Sequence, residues 1–335
     1  MAAIFLYPNL DQKVVSPNPY ISNFTEALSK NHKVLNDNAP NRGVLGFFLY
    51  FFSTDLFILN WPETLPEKKF GNFQKMLFKV FLKMKNLFGK KVLWVLHNKG
   101  SHHKEDNSVT QEMFDILMLY SDFIITHSYT GKDFVATTYP DYLEKVHVIP
   151  HPFTSSIGGF ASETKIYDFL VWGSIYKYKG IDGFLSYIKN SETLKNAKVL
   201  IIGKCSDQEY KREILSVLPK NAEFKDQLLS LEEISNYANQ SRFTLFTYKS
   251  KTVISSGSLI DSIRMGSIVL GPEHGAFKDL NNLAFMHTYK DFNEIPQLIA
   301  DFDPSNPQIE IDRKAVMAEN TWERFVNKIE KIAGI

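Results

Sequence analysis

Residues 245–270 read LFTYKSKTVISSGSLIDSIRMGSIVL: an apolar strand, a turn of small residues, an amphipathic helix and a second apolar strand. The turn holds Ser255, Ser256, Gly257 and Ser258 at the predicted helix start. A helix start offers unpaired N–H groups and the positive end of its dipole, which together favour an anion such as phosphate. The same residue types are also common helix caps, so this turn alone leaves a phosphate site and a plain cap both open.

Length and composition indicate a globular protein with more than one core. The chain has 335 residues, which favours two domains, and 44% of its residues are hydrophobic. Cys205 is the single cysteine, which excludes an internal disulfide and a cysteine-cluster zinc site and fits a reducing compartment. No secretion-signal pattern precedes the first predicted strand, so we expect a cytoplasmic protein. The apolar stretch at 43–61 is interrupted by Asp55 and predicts a buried helix, 44–52, followed by a buried strand rather than a membrane span.

Positive charge is concentrated in one segment, although the net charge of the chain is only +1. Ten lysines and no acidic residue lie between Lys68 and Lys104. The helical spacing of apolar residues there predicts an amphipathic helix, with Lys75, Lys79 and Lys83 on a different side. Two interpretations stay open: a helix packed on its domain with solvated lysines, or one that docks on an anionic membrane surface. No helix-turn-helix, zinc-finger or RNA-binding pattern accompanies it, so we expect no nucleic-acid partner. The apolar residues of this helix are Phe73, Met76, Leu77, Val80, Met84 and Leu87.

Short apolar strands alternate with amphipathic helices along the chain, which predicts parallel sheets covered by helices. A Ser- and Gly-rich run at 154–162 interrupts this alternation and is typical of a linker. We therefore expect an α/β protein with doubly wound domains at 1–153 and 163–320. A last helix within 321–335 carries an apolar face and is expected to pack back across the domains. Strands are predicted at 4–7, 32–35, 56–60, 91–96, 123–126, 146–149, 167–172, 198–202, 243–246 and 267–270.

Several strings resemble a known family. VWGSIYKYKGI at 171–181 and VLIIG at 199–203 resemble the Gly-Arg-Ile-x-x-x-Lys-Gly segment and the following strand of group-one, family-four-like glycosyltransferases. SGSLIDSIRMG at 256–266 and IVLGP at 268–272 look like the donor helix and next strand of that family. WVLHN at 94–98, SDFIITHS at 121–128 and VIPHP at 148–152 resemble a bacterial polysaccharide-assembly branch of it. The resemblance implies the GT-B fold, two Rossmann-like domains facing a cleft.

The chain departs from the family pattern at two positions that normally carry charge. The donor helix of the family usually has a glutamate eight positions before a second one; Asp261 stands at the second position and Val253 at the first. Ser174 stands where a phosphate-binding arginine is expected, whereas Lys179 matches the lysine of the family. The missing positive charge has three candidate replacements: Lys177, Lys249 and Lys251.

The resemblance implies a set of donor-binding residues in the second half. Lys179 and the N–H groups of Ser256, Gly257 and Ser258 would hold the diphosphate, with a hydroxyl from Ser255 or Ser258, and a lysine with oriented amides can replace a metal there. Ser174 and Lys177 are expected near the phosphates and Gly203 near the nucleotide. Asp261 would accept hydrogen bonds from the ribose, or else serve only as an acid at a helix N-terminus. We expect no metal and no cofactor beyond the nucleotide-sugar donor substrate.

In the first half, His97 follows an apolar strand and so lies at a carboxyl end, where open parallel sheets bind ligands. The resemblance adds Asn98 and His102 of the same loop, and the three are the candidate catalytic residues; a core or capping role for His97 stays open. Asn9, Asp11 and Asn18 follow the first strand, where an acceptor could enter or where they could simply build a turn.

The resemblance implies a retaining glycosyltransferase that moves a sugar from a nucleotide-diphosphate sugar to a glycan or lipid-linked glycan in bacterial surface polysaccharide synthesis. Capsule or exopolysaccharide is the expected product, and the inner face of the plasma membrane the expected place. The departures at Val253 and Ser174 keep a second hypothesis open, a non-catalytic nucleotide- or glycan-binding subunit with the same fold. A nucleotide-sugar epimerase or a phosphorylase on the same two domains is a third.

Overall fold

A computed structural model describes residues 1–9, 19–40, 42–100, 108–158 and 164–335, without the side chains of 108–110. The chain forms two compact units. Unit 1 consists of Met1–Pro152, Thr252–Ile254 and Asn320–Ile335. Unit 2 consists of Phe153–Lys251 and Ser255–Glu319.

Unit 1 is built on a six-stranded parallel sheet. Its strand order is β2-β1-β3-β4-β5-β6, so the direction of strand addition reverses between β1 and β3. Parallel strands covered on both faces carry continuous apolar runs, and Leu56–Asn60 is buried throughout. The strands are β1 (Ala3–Tyr7), β2 (Lys33–Val34), β3 (Leu56–Asn60), β4 (Lys91–Leu96), β5 (Phe123–Thr126) and β6 (Val146–Val148).

Helices cover both faces of this sheet. One face packs against α2 and α3 through a core rich in phenylalanine, with Phe47, Phe78 and Phe81 fully buried. The other face is covered by α1 and by the last helix, which contributes Trp322 and Phe325. The helices of unit 1 are α1 (Pro19–Ser29), α2 (Leu45–Leu49), α3 (Gly71–Leu87), α4 (Ser108–Tyr120), α5 (Tyr129–Thr138) and α13 (Trp322–Ala333).

Unit 2 has a second six-stranded parallel sheet, in the order β12-β11-β10-β7-β8-β9. Relative to the first strand of this unit, the order is that of a dinucleotide-binding Rossmann sheet, with the reversal between β7 and β10. The strands are β7 (Tyr167–Trp172), β8 (Val199–Ile202), β9 (Ala222–Lys225), β10 (Ser241–Leu245), β11 (Val269–Pro272) and β12 (Met286–Tyr289).

Seven helices of the described residues flank this sheet. Asp207 and Ser230 cap two of them, and Ser230 forms a full capping box with Glu233. The helices are α6 (Ile181–Asn190), α7 (Gln208–Val217), α8 (Leu231–Asn239), α9 (Gly257–Arg264), α10 (Gly275–Asp279), α11 (Ile295–Asp301) and α12 (Gln308–Glu319).

The structure confirms the predicted fold class, two parallel α/β sheets of Rossmann type. Strands β3, β4, β5 and β7 begin and end where the sequence predicts. The sequence analysis does not predict β9 and β12, because both are short, β9 has no fully buried residue and the middle of β12 is only partly buried. Strand β10 begins two residues before the predicted strand and β11 two residues after it. Among the described residues, no helix is both long and apolar enough to cross a bilayer.

Helix α3 packs on the sheet through a face that the sequence analysis does not single out. Phe73, Met76 and Val80, three of the apolar residues that follow helical spacing in the sequence, are exposed. Phe78, Phe81 and Leu82 form the buried face instead, together with the aliphatic stem of Lys85. The helix is apolar on more than one side, so spacing alone could not decide which side faces the sheet.

Candidate functional site

The sheet order of unit 2 indicates a candidate site at the carboxyl ends of its strands. Ligands of open α/β sheets bind outside the carboxyl ends of the strands where the strand order reverses. In unit 2 this point lies between β7 and β10. The loop after β7 carries Gly173, Ser174, Lys177 and Lys179, and the chain after β10 leads to the start of α9. The residues that the sequence assigns to a diphosphate therefore follow the two strands that flank the reversal.

Lys179 is a buried cation at this point. The loop turns at Gly173, with φ of +94°, and Lys179 ends the 3-10 turn Lys177–Lys179. Its carbonyl accepts a hydrogen bond of 2.6 Å from the Thr247 hydroxyl, and its Nζ donates a long bond of 3.4 Å to the Trp172 carbonyl. Nζ also lies 5.8 Å from the ring centroid of Tyr248.

The charge of Lys179 has no carboxylate partner within the part of the chain that the structure describes. Only 4% of the residue is exposed, and this burial lowers the pKa of its ammonium to about 8. Buried charges in proteins are normally paired, because desolvation of a lone ion is costly. An anion at this point would supply the missing partner.

The start of α9 lies beside this lysine. A Cβ built on Gly173 would lie 2.9 Å from Ser258 Oγ and 3.2 Å from Lys179 Nζ, so both groups flank the same glycine. Ser256 occupies the N-cap position, but its Oγ bonds the Tyr248 hydroxyl at 3.0 Å and accepts no helix N–H. Gly257 has open space at its Cα. The cap interpretation of this turn is therefore incomplete, because the Ser256 hydroxyl at the N-cap position bonds none of the first helical N–H groups.

Ser255 precedes this turn. Its buried Oγ has no hydrogen-bond partner among the described residues. Such a group is unusual in a folded protein, since an unpaired buried hydroxyl costs free energy.

Other predicted donor residues are engaged elsewhere. Ser174 is exposed. Lys177 Nζ bonds Glu213 at 2.8 Å, and Lys249 Nζ bonds Asp182 at 2.7 Å. Both lysines thus already have carboxylate partners, which leaves exposed Lys251 as the candidate replacement without an ion pair in the described part of the chain.

Asp261 and Gly203 have structural explanations within unit 2. The Asp261 carboxylate is paired with Arg264, one turn later on α9, and its burial raises the pKa of the carboxyl. A Cβ at Gly203 would lie 1.9 Å from the Gly173 carbonyl oxygen. The close approach of the ends of β7 and β8 therefore requires glycine at 203, independently of any nucleotide.

His97 lies at the carboxyl end of β4 in unit 1, as the sequence predicts. The Asn60 amide donates 3.1 Å to the Tyr7 carbonyl, which turns Asn60 Oδ1 toward His97 Nε2 at 3.0 Å. His97 Nε2 therefore carries the proton and Nδ1 is the basic nitrogen. Trp61 stacks on the imidazole, with centroids 4.2 Å apart. Burial lowers the pKa of His97 well below its usual value, so the ring is neutral at pH 7.

Sequence reasoning missed three aromatic neighbours of His97. Tyr20, His127 and His151 pack together, with ring centroids 5.0–5.6 Å apart. The Ile149 carbonyl accepts from His127 Nδ1 at 2.9 Å, so His127 Nε2 accepts from the Tyr20 hydroxyl at 3.0 Å. Burial lowers the pKa of His127 to about 4 and that of His151 to about 3.

A signal for this cluster was present in the sequence. His97 and His127 directly follow β4 and β5, and His151 follows β6 by three residues. Because neighbouring parallel strands end at one edge of the sheet, histidines after three consecutive strands are brought together.

The remaining candidates of unit 1 are only partly described. Asn98 forms an isolated antiparallel bridge with Val253, in the short segment Thr252–Ile254 of the same unit. Asn9 donates from its amide to the Ala39 carbonyl at 2.6 Å, a contact that joins the chain after β1 to the chain after β2. Asp11, Asn18 and His102 lie outside the described residues. Within the described residues, no group of three or more His, Cys, Asp or Glu could hold a metal ion.

Comparisons with known proteins show the fold. No protein-family model matches the chain, and no curated protein sequence matches it. Among solved structures, HepE of Anabaena in complex with UDP and glucose is similar over 99% of this chain and 100% of its own, with a TM-score of 0.67 and 12% identity. A glycosyltransferase of Rickettsia africae gives a TM-score of 0.62 and 13% identity over 99% of this chain and 98% of its own. AviGT4, a glycosyltransferase of avilamycin A biosynthesis, gives 0.62 and 12% over 99% and 97%.

These neighbours are GT-B glycosyltransferases, and the chain shares their two-sheet fold. At 11–13% identity, the likeness is one of fold, and site chemistry must be argued from the residues themselves.

Proposed function

We propose that this chain is a glycosyltransferase that moves a sugar from a nucleotide-diphosphate sugar to a glycan or lipid-linked glycan. The observation that carries the proposal is Lys179, a buried ammonium without a carboxylate partner among the described residues, beside the start of α9, where Ser256 makes no capping hydrogen bond. A diphosphate supplies the negative charge that this arrangement lacks. The fold neighbours add support, since HepE was solved with UDP and glucose.

Transfer requires that negative charge be stabilised on the departing phosphate as the glycosidic bond loosens. In our proposal, Lys179 and the N–H groups of Gly257 and Ser258 supply this stabilisation, and the hydroxyls of Ser255 and Ser258 add donors. Preorganised dipoles of this kind need no metal ion at the phosphates. We propose retention of configuration, with the leaving phosphate receiving the proton of the incoming hydroxyl and no protein side chain acting as base.

In unit 1 we propose that His97, with Asn98 and His102, binds sugar hydroxyls. Its Nδ1 is unprotonated, and a neutral imidazole can accept a hydrogen bond from a hydroxyl without bringing in a charge. Asn9, Asp11 and Asn18 follow β1 at the reversal point of the unit 1 sheet and are proposed for the acceptor side. We further propose surface polysaccharide synthesis in a bacterium, at the cytoplasmic face of the plasma membrane, as the setting.

A second candidate is a non-catalytic nucleotide- or glycan-binding subunit. Two observations favour it: Ser174 and Val253 stand where charged residues are expected, and Asp261 is already paired with Arg264. This subunit would bind the donor without breaking it.

The test separates binding from turnover. The protein is titrated with a panel of UDP-, GDP- and ADP-sugars by calorimetry, and slow hydrolysis of each donor is followed with and without membrane lipid extract. The phosphate site is supported if Lys179→Met abolishes donor binding and Lys189→Met leaves it unchanged. Lys189 is exposed on α6 and serves as the control. Hydrolysis or transfer supports the enzyme. Binding without either reaction supports the subunit, and the absence of binding to every donor contradicts both.

A further inference from the structure

Two helices of unit 1 expose an unusual amount of apolar surface. On α3, Phe73 is 55% exposed and Leu87 80% exposed. Beyond the end of α2, Phe52 is 72% exposed. Soluble proteins expose single large apolar side chains often, but contiguous patches of them usually mark an interaction surface. We call this set the apolar strip; it consists of Leu45, Leu49, Phe52, Phe73, Met76, Val80, Leu87 and Phe88.

The two helices that carry the apolar strip lie side by side, and Phe52 and Phe88 join the strip across them. Near their starts, a Cβ on Gly43 would lie 3.4 Å from Gln74 Oε1. Near their ends, the rings of Phe52 and Phe88 lie 5.6 Å apart. Between these points, Phe48 packs against Phe81 with a centroid distance of 6.5 Å. The buried sides of both helices contribute to one core on the sheet, so their exposed sides point away from it.

Every charged side chain within residues 68–104, the segment that carries α3, is a lysine. No acidic residue occurs between Lys68 and Lys104. Lys83 lies in line with Phe73, Met76 and Val80 on α3, is exposed, and has no ion pair in the described part of the chain. Lys68 and Lys69 precede the helix, and both are exposed. An apolar face edged by cations matches the interface of an anionic bilayer, where side chains enter the acyl boundary and lysines reach the headgroups.

Two of the three lysines that the sequence assigns to membrane contact are already neutralised in part. Lys75 and Lys79 both bond the carboxylate of Glu112 on α4. Hydrogen bonds from both lysines lower the pKa of Glu112, which keeps the carboxylate ionised. A purely electrostatic attraction through Lys75, Lys79 and Lys83 is therefore weaker than the sequence suggests.

We infer that the apolar strip inserts shallowly into an anionic lipid bilayer and holds unit 1 at the membrane surface, with apolar burial as the main source of affinity. This inference stands on the exposed residues of α2 and α3 and is independent of the proposed sugar transfer. A helix of the length of α3 spans about 25 Å and so lies along the interface rather than across it.

The test uses the whole 335-residue chain and vesicles of phosphatidylcholine with phosphatidylglycerol, in a flotation assay at low and high salt. We expect binding that persists in part at about 0.5 M salt, and a loss of roughly tenfold or more in affinity for the triple variant Phe73→Ser/Val80→Ser/Leu87→Ser. The variant Lys75→Gln/Lys79→Gln should lose less than about threefold. Leu228→Ser/Ile311→Ser, at exposed apolar positions of unit 2, is the matched control and should bind like wild type.

Three results would overturn the inference. One is unchanged binding of the triple variant, and another is a loss with Lys75→Gln/Lys79→Gln as large as that of the triple variant. The third is that light scattering shows a dimer for wild type and a monomer for the triple variant, and that neither protein binds vesicles. A second copy of the chain would then cover the apolar strip. Nucleotide binding by calorimetry is measured on the same samples, so a failure of the proposed function is seen separately.

Discussion

Replacing Lys179 by methionine should make the protein more stable and at the same time remove its proposed phosphate binding. Methionine keeps much of the aliphatic stem and removes the ammonium. The site of Lys179 is buried, and the residue has no carboxylate partner among the described residues. A residue kept for stability would lower the free energy of unfolding when replaced, whereas a residue kept for an anionic ligand should do the opposite.

The size of the effect follows from the pKa of Lys179. Burial lowers it from 10.5 to about 8, which corresponds to about 3 kcal/mol of unfavourable free energy for the charged form. The variant loses the long hydrogen bond to the Trp172 carbonyl and the contact with Tyr248, which offset roughly 1–2 kcal/mol of the gain. We therefore expect the free energy of unfolding at pH 7 to rise by about 1–2 kcal/mol.

The pH dependence has a definite sign. Below pH 8, Lys179 is protonated in both the folded and the unfolded chain, so the desolvation cost is present in full. Between pH 8 and 10.5, the unfolded chain holds more protons at this site than the folded protein, so the contribution of Lys179 to stability rises with pH. The Met variant lacks this rise. In wild type, the affinity for diphosphate should fall as pH rises, whereas the stability contribution of Lys179 increases. The fall should be up to about tenfold for each pH unit above 8, because the ammonium loses its proton.

Urea unfolding at about pH 7 and about pH 9.5, with and without saturating UDP, measures all of these quantities. UDP is expected to stabilise wild type increasingly as its concentration rises and to leave the Met variant unchanged. The reasoning is refuted if Lys179→Met lowers the free energy of unfolding by more than about 1 kcal/mol, or if UDP stabilises both proteins equally. Lys189→Met serves as the control for the general effect of removing one lysine.

Two further predictions concern single atoms. Gly173→Ala places a Cβ 2.9 Å from Ser258 Oγ at a φ of +94°. It should therefore weaken nucleotide binding at least about tenfold in calorimetry and lower the free energy of unfolding by about 1–2 kcal/mol. Unchanged nucleotide binding would show that Gly173 is not part of the site. Tyr20→Phe leaves His127 Nε2 buried without its donor and should cost about 1–3 kcal/mol in urea unfolding, while a cost below about 0.5 kcal/mol would show that the hydroxyl bond is unimportant.

Much of the fold could be predicted from the sequence because buried parallel strands are continuous apolar runs. The runs FLY, LFILN and VLIIG are continuous and apolar, and they became the central strands β1, β3 and β8. The edge strands β9 and β12 were missed, because an edge strand is half exposed and mixes polar with apolar residues. The buried face of α3 could not be chosen from the sequence, because the apolar spacing of a helix with two apolar sides does not show which side meets the sheet.

Only those residues of the candidate site whose position follows from the order of strands along the chain could be predicted from the sequence. Lys179 and the turn at 255–258 could be chosen because each follows a predicted strand, and the sheet order then placed them together. The partners of Lys177, Lys249 and Asp261 could not be foreseen, since Glu213, Asp182 and Arg264 meet them only through the packing of separate helices or the turn of one helix. The tautomers of His97 and His127 likewise depend on carbonyl and amide groups that no sequence pattern indicates.

Helix α13, near the carboxyl end of the chain, helps to cover one face of the unit 1 sheet. Phe325 packs on Phe24, with centroids 5.2 Å apart, and Glu330 bonds His32 at 2.8 Å. During synthesis on the ribosome, the first 152 residues emerge long before this helix does. One face of the nascent sheet, covered by α1 alone, must therefore wait for its second helix while all of unit 2 is translated, and a chain cut before residue 320 should be a client for chaperones rather than a smaller folded protein.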